Sequence, residues 1–94
     1  MRKGVFSELP RQTLRLTFHG VFRGDYFDGK GHDRIEFNDD NGVEYLYHAP
    51  YGTKMAQELT FTESGKSLAI SARIYDDGET KHLIMPRILN KIKE

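Results

Sequence analysis

The chain has 94 residues, no cysteine, and fourteen basic residues against fourteen acidic ones, so its formal net charge is zero. This length allows one hydrophobic core and no second one, and the absence of cysteine excludes a disulfide framework or a thiolate site. No apolar run approaches the roughly 20 residues of a membrane-spanning helix, and the N-terminal residues lack the apolar stretch of a signal peptide. We therefore expect a single-domain cytoplasmic protein.

The first predicted element is a long strand of alternating apolar and polar residues, which follows an N-terminal arm at residues 1–12. The side of this strand that faces the core is predicted to hold Leu14, Leu16, Phe18 and Phe22. Gly20 interrupts the alternation, and a glycine inside a strand usually marks a bulge or a bend. The next segment, residues 24–33, is rich in glycine and aspartate and is predicted to be a loop.

Two shorter strands, residues 34–38 and 43–48, are predicted to form a hairpin through an Asp-Asp-Asn-Gly turn. Thr53 is a suitable N-cap for a short helix that ends near Leu59, because the residues between them are good helix formers. Residues 60–62 are β-branched or aromatic, so a further short strand is the alternative there.

A second hairpin is predicted over residues 67–85, with Asp77-Gly78 at its tip, because this dipeptide favours a two-residue turn. The resulting register places Ala72 opposite Leu83 and makes one face of both strands apolar.

Pro86 is predicted to end the fifth strand, since proline cannot donate a ladder hydrogen bond. The predicted domain therefore spans residues 13–89 and is followed by a basic tail at 90–94. The residues expected in its core are Leu14, Leu16, Phe18, Ile35, Phe37, Ile70, Ala72, Ile74, Leu83 and Met85.

The order of these elements resembles the OB-fold, a five-stranded Greek-key barrel, with a short helix between strands 3 and 4. Residues 67–78 look like the fourth-strand hairpin of OB modules in phage and mobile-element DNA-processing proteins, and residues 18–22 are similar to their bent first strand. The resemblance covers about residues 13–88 and implies a small all-β, OB-like barrel. A barrel of the SH3 type is the alternative, although it accommodates the helix less well.

The resemblance implies weak binding of single-stranded nucleic acid, because OB modules stack bases on aromatic side chains and clamp the strand with loops. Cationic side chains would neutralise phosphates and exposed rings would stack with bases. The candidate nucleic-acid-binding residues are Arg15, His19, Arg23, Tyr26, Phe27, Lys30, Arg73, Tyr75 and His82.

Charge is unevenly placed along the chain. Residues 1–23 hold five basic and one acidic residue, a net +4; residues 24–63 hold three and nine, a net −6; residues 64–94 hold six and four, a net +2. Such separation favours one positive and one negative face, although acidic residues also occupy turns for conformational reasons alone. The alternative function is therefore a phage or mobile-element protein that binds or inhibits a partner protein through acidic hairpin residues, namely Asp39, Asp40 and Glu44.

The sequence offers little sign of catalysis or metal binding. The carboxylates of residues 25–33 lack the spacing of a calcium loop, and residues 29–31 lack that of a phosphate-binding loop. No local group of serine, histidine and aspartate indicates a nucleophile. The histidines lack zinc-like spacing and are expected to be ordinary surface side chains: His19, His32, His48 and His82. We expect no metal, no cofactor and no enzymatic activity.

Overall fold

The computed structural model describes residues 9–27 and 30–91, without the side chains of residues 25–27, 30, 90 and 91. Five strands and one helix make up this part of the chain. In order they are β1 (Arg11–Phe27), β2 (Lys30–Asn38), β3 (Glu44–Ala49), α1 (Lys54–Thr60), β4 (Ser67–Asp76) and β5 (Lys81–Lys91).

The strands form a closed barrel in the order β1-β2-β3-β5-β4. Closure depends on β1, which is long enough for its first half to pair with β4 and its second half with β2. All neighbours are antiparallel except β3 and β5, which pair in parallel through two residue pairs, Tyr45 with Lys81 and Leu46 with His82. This architecture confirms the predicted all-β, OB-like barrel with a short helix between its third and fourth strands.

A bulge at Gly20 reverses the facing of β1. The register with β2 shifts between Phe18 and Gly20, so that Val21 packs against the core while Phe22 is 40% exposed. The predicted bulge is therefore present, but the inward position predicted for Phe22 is wrong. An extra residue in one strand changes which of the following side chains face inward.

The predicted loop at residues 24–33 is instead the end of a long hairpin. β1 continues to Phe27 and β2 begins at Lys30, with a second register shift between Phe22 and Asp25. Gly24 has φ of +79° at this irregularity, a backbone conformation that glycine adopts without steric cost. The prediction of a loop was wrong because glycine and aspartate, typical of turns, also occur in bulged strands.

The β4–β5 hairpin is two residues out of the predicted register. Ile74, and not Ala72, is the partner of Leu83. The reason lies in the turn, where the Asp76 carboxylate accepts a hydrogen bond from the backbone N–H of Gly78 and the Asp77 carboxylate accepts from those of Glu79 and Thr80. Such side-chain to backbone bonds stabilise a longer connection than a two-residue turn.

The fifth strand also continues past the proline. Met85 and Pro86 lie opposite Ala72 alone, because Ser71 pairs with Arg87 and Arg73 pairs with Ile84. Proline is tolerated at such a bulge since no ladder bond is required of it. Met85 has φ of 50° and is 54% exposed, so its predicted place in the core is wrong.

The helix α1 places Ala56 and Leu59 in the core, each about 1% exposed. The hydroxyl of Thr53 donates to the Pro50 carbonyl and makes no side-chain cap to the helix. The alternative of a strand at residues 60–62 is wrong, because Phe61 is the C-cap of α1 and the Thr62 hydroxyl donates back to the Glu58 carbonyl.

Most of the predicted core is buried as expected. Leu14 and Ile74 are partly buried against it, and Met85 is the exception described above. The buried apolar residues are Leu16, Phe18, Ile35, Phe37, Tyr45, Ala49, Ala56, Leu59, Leu68, Ile70, Ala72 and Leu83. Tyr45 and Tyr47 therefore belong to the core side of β3, Tyr45 buried and Tyr47 partly so.

Candidate binding surfaces

Four arginines lie on the outer side of three adjacent strands, β1, β4 and β5. On β1 and β4 the arginine positions alternate with the inward-facing leucine, isoleucine and alanine residues. Arg11 pairs with Arg73 across β1 and β4, and Arg87 pairs with Ser71 across β4 and β5. We call this set the arginine face: Arg11, Arg15, Arg73 and Arg87.

Neutral groups hold three of the four side chains of the arginine face in place. Arg11 donates to the Ser71 hydroxyl at 2.9 Å and to the Met85 carbonyl at 2.7 Å. Arg15 donates to the Ser67 hydroxyl at 3.2 Å, and Arg73 donates to the Leu9 carbonyl. These contacts orient the guanidinium groups and leave their positive charge in place.

No carboxylate compensates this charge within the described part of the chain. Residues 11–19, 67–75 and 82–91, which form the face, contain no aspartate or glutamate. The ion pairs formed among the described residues all involve other cations. The arginine face is therefore a positive surface on a chain whose net charge is zero.

The structure brings together only some of the predicted nucleic-acid-binding residues. Arg15 and Arg73 share the arginine face, with His19 further along β1 and 4.0 Å from Glu36. Tyr75 and His82 are register partners, beside the acidic β4–β5 turn. Tyr26, Phe27 and Lys30 lie at the tip of the β1–β2 hairpin, and their side chains are outside the described part of the structure.

Arg23 forms an ion pair with a buried carboxylate. Its guanidinium donates to Asp33 Oδ2 at 3.3 Å and to the Thr60 hydroxyl at 2.5 Å. Asp33 is 1% exposed, and its Oδ1 has no hydrogen-bond partner among the described residues. A cleft of about 170 Å³ lies beside this pair, between the bend of β1 and the end of α1. Because Asp33 offsets its charge, Arg23 belongs to a structural ion pair rather than to the arginine face.

A second surface is formed where the β2–β3 and β4–β5 turns lie side by side. The parallel pairing of Tyr45 with Lys81 brings these turns to one end of the barrel, and a cleft of about 350 Å³ separates them. We call this surface the acidic end; its six carboxylates belong to Asp39, Asp40, Glu44, Asp76, Asp77 and Glu79.

Hydrogen bonds fix several of these carboxylates. Asp39 accepts from the backbone N–H groups of Asn41 and Val43, both at 2.9 Å. A hydrogen bond from the Lys81 ammonium, 2.8 Å away, lowers the pKa of Asp76, and one from His82 holds the pKa of Asp77 well below its usual range. Burial, with Asp39 nearby, raises the pKa of the Tyr45 phenol. The lowered pKa values keep Asp76 and Asp77 ionised at neutral pH.

Three of the four histidines form a chain that the sequence did not indicate. His32 Nε2 lies 2.9 Å from His48 Nδ1, His48 Nε2 lies 3.2 Å from His82 Nδ1, and His82 Nε2 lies 2.8 Å from Asp77 Oδ2. His32 is 5% exposed, so the prediction of ordinary surface histidines is wrong for this chain. His82 lies on β5, which becomes a neighbour of β3 only when the barrel closes, so no local spacing reveals this group of histidines.

Within residues 9–27 and 30–91, no group of three or more histidine, aspartate or glutamate side chains has the arrangement of a metal site. No helix of the described structure is long and apolar enough to cross a membrane.

Comparison of the chain with models of known protein families, with curated proteins and with solved structures gave no match.

Proposed function

We propose that this protein is a non-catalytic cytoplasmic binding module that weakly binds single-stranded nucleic acid, in the DNA-processing context of a phage or mobile element. The arginine face is the observation that carries the proposal. It combines four guanidinium groups on adjacent strands with an absence of carboxylates among the described residues of the face. Phosphate contacts from arginine supply most of the affinity in sequence-independent binding.

The neutral hydrogen-bond partners of these arginines support this function. Arginine has five N–H donors, so Arg11, with two bonds to protein oxygens, keeps others for phosphate oxygens. Met85 and Leu89, each 54% exposed, offer apolar surface on the same strand as Arg87. The face lacks a row of aromatic rings among its described residues, which favours contact with the nucleic-acid backbone over stacking.

Replacing Arg15 and Arg73 by Ala should weaken binding of a short labelled single-stranded oligonucleotide at low salt. Each lost phosphate contact should also flatten the log–log dependence of affinity on salt by roughly 0.7. Fluorescence anisotropy over a series of salt concentrations measures both quantities. Lys54→Ala, which removes an exposed cation from α1, is the matched control and should leave the salt dependence unchanged. Failure of the unmodified protein to bind at low salt, or an equal effect of Lys54→Ala, would contradict the proposal.

The acidic end supports a second candidate function, binding of a basic partner protein. Its specific support is the meeting of two turns that are distant in sequence, which joins Asp76, Asp77 and Glu79 to the carboxylates of the β2–β3 turn. Oriented carboxylates of this kind steer a positively charged partner and disfavour wrong ones. Such a partner includes a nucleic-acid-binding protein, whose basic surface the acidic end would cover.

Asp40→Lys should slow association with such a partner and alter its salt dependence, since exposed charges act mainly on the association rate. A pull-down from host lysate identifies the partner by comparing the natural protein with a variant in which Asp39, Asp40 and Glu44 are replaced by Lys. Glu63→Lys, an exposed reversal outside the acidic end, is the control. Equal recovery of the same proteins by all three chains would show that these carboxylates are only solvated surface.

A further inference from the structure

The histidine chain crosses the weakest seam of the barrel. β3 and β5 share two residue pairs, whereas each of the other neighbouring strands shares six or more. His48 lies on β3 and His82 on β5, and their ring nitrogens are 3.2 Å apart. The bond from His48 to His32 extends this link to β2. Side-chain hydrogen bonds thus add to the few backbone bonds of the seam.

Hydrogen counting limits how many protons this chain can hold. With Asp77 ionised, one assignment satisfies every contact: Asp77 accepts from His82 Nε2–H, His82 Nδ1 accepts from His48 Nε2–H, and His48 Nδ1 accepts from His32 Nε2–H. Each of these three contacts holds one hydrogen, so three neutral imidazoles in one tautomer satisfy all of them. His32 Nδ1, the ring nitrogen outside these three contacts, can hold one hydrogen at most.

The chain can therefore carry at most one imidazolium. The positive charge can move from one imidazole to the next when the hydrogen between two rings shifts from one nitrogen to the other. Each contact still holds one hydrogen after such a shift. A second added proton would place two N–H groups face to face in one link, and that link must break. This limit holds whatever His32 Nδ1 contacts, since a donor there would only lower the number.

The surroundings contain charges of both signs. Asp77 lies at one end of the histidine chain, in contact with His82. Lys81, the residue before His82, forms an ion pair with Asp76. Arg34, the register partner of His48, is paired with Glu36 at 2.9 Å. Three other titratable groups lie nearby. The Tyr75 ring is 6.0 Å from that of His82, the Tyr51 side chain lies against Gly31, and Asp33, which follows His32, is paired with Arg23. Asp25 is the backbone register partner of His32.

We propose that the chain formed by His32, His48, His82 and Asp77 is a pH-sensitive latch that holds the β3–β5 seam closed at neutral pH and releases it on acidification. The inference stands apart from the proposed binding functions, because it depends on this hydrogen-bond chain alone. It makes the stability of the barrel a function of pH in the range where histidine changes charge.

The sign of the change in stability with pH follows from proton linkage. Each of the three histidines takes up a proton in the unfolded chain near pH 6.5, whereas the native chain takes up one at most. The unfolded state then binds two more protons than the native state, so stability falls as pH falls. The unfolding constant should rise on the order of 500-fold between pH 7 and pH 5, above the range in which most carboxylates titrate.

Chemical denaturation at a series of pH values tests this expectation in three proteins. The natural chain should show the steep dependence, and His19→Gln, which removes an exposed histidine outside the chain, should keep it. His48→Gln separates the remaining two imidazoles, so that each can be protonated independently, and should reduce the change to less than about 10-fold. A similar steep dependence in His48→Gln would overturn the proposal.

Nuclear magnetic resonance of the imidazole nitrogens provides a test that needs no variant. At neutral pH, His48 and His82 should be in the Nε2–H tautomer, and the three rings together should take up no more than one proton while the fold persists. Complete protonation of all three rings while the β3–β5 pairing stays intact would overturn the latch. So would a natural chain whose stability is unchanged between pH 7 and pH 5.

Discussion

Replacing Phe18 by Ala should lower the free energy of unfolding by about 3–5 kcal/mol. Phe18 is 2% exposed and its ring centroid lies 6.0 Å from that of Phe37. Its backbone also joins β1 to the segment before β4, through hydrogen bonds with Lys66 and Gly65. Because the backbone holds this position fixed, the surrounding side chains cannot collapse fully into the space that the ring leaves.

Urea denaturation monitored by circular dichroism measures this loss, provided that the slope with denaturant is unchanged. Phe61→Ala is the matched control, because Phe61 is 89% exposed and its removal should change stability by no more than about 0.5 kcal/mol. A loss below about 1 kcal/mol for Phe18→Ala would show that the ring is not part of a packed core.

Alternation of apolar and polar residues predicted which side chains face inward more reliably than it predicted their partners. The two-residue error in the β4–β5 register moved Leu83 from Ala72 to Ile74, yet all three residues kept the inward face because the period of a strand is two. The bulge at Gly20 had the opposite effect, since a shift of one residue moved Phe22 outward. Faces are therefore predictable up to the first irregularity of a strand.

The arginine face could be predicted only in part for the same reason. Arg15 and Arg73 follow from alternation on β1 and β4. Arg87 does not, because Pro86 predicts the end of a strand and the bulge that accommodates it is visible only in the pairing with β4. Arg11 precedes the predicted start of the barrel by two residues, which is within the ordinary uncertainty of strand ends.

The histidine chain lay beyond sequence reasoning because it depends on which strands become neighbours. His48 and His82 meet through the parallel β3–β5 pairing, a contact that forms only when the sheet closes. The acidic end arises from the same pairing, which places two turns side by side. The pairing of β3 with β5 thus creates both the histidine chain and the acidic end. The distribution of charged residues along the sequence does not predict this pairing.

Replacing Arg23 by Met should lower the free energy of unfolding by about 2–3 kcal/mol at neutral pH. The methionine keeps much of the apolar stem, so the main change is loss of the counter-ion of Asp33, whose side chain is 2% exposed. Asp33 Oδ1 already lacks a partner among the described residues, and the substitution removes the guanidinium bond to Oδ2 as well. The expected loss is below that of a fully buried pair because the Arg23 side chain is 57% exposed.

A double-mutant cycle with Asp33→Asn separates this charge effect from loss of packing. Once the carboxylate is gone, Arg23→Met should cost less than about 1 kcal/mol, so the two substitutions should be strongly non-additive. Arg15→Met, at an arginine without an ion pair among the described residues, is the control, and its cost should be the same with and without Asp33→Asn. Additive costs of Arg23→Met and Asp33→Asn would mean that Arg23 stabilises the bend of β1 through packing and its bond to Thr60, and not through the buried carboxylate.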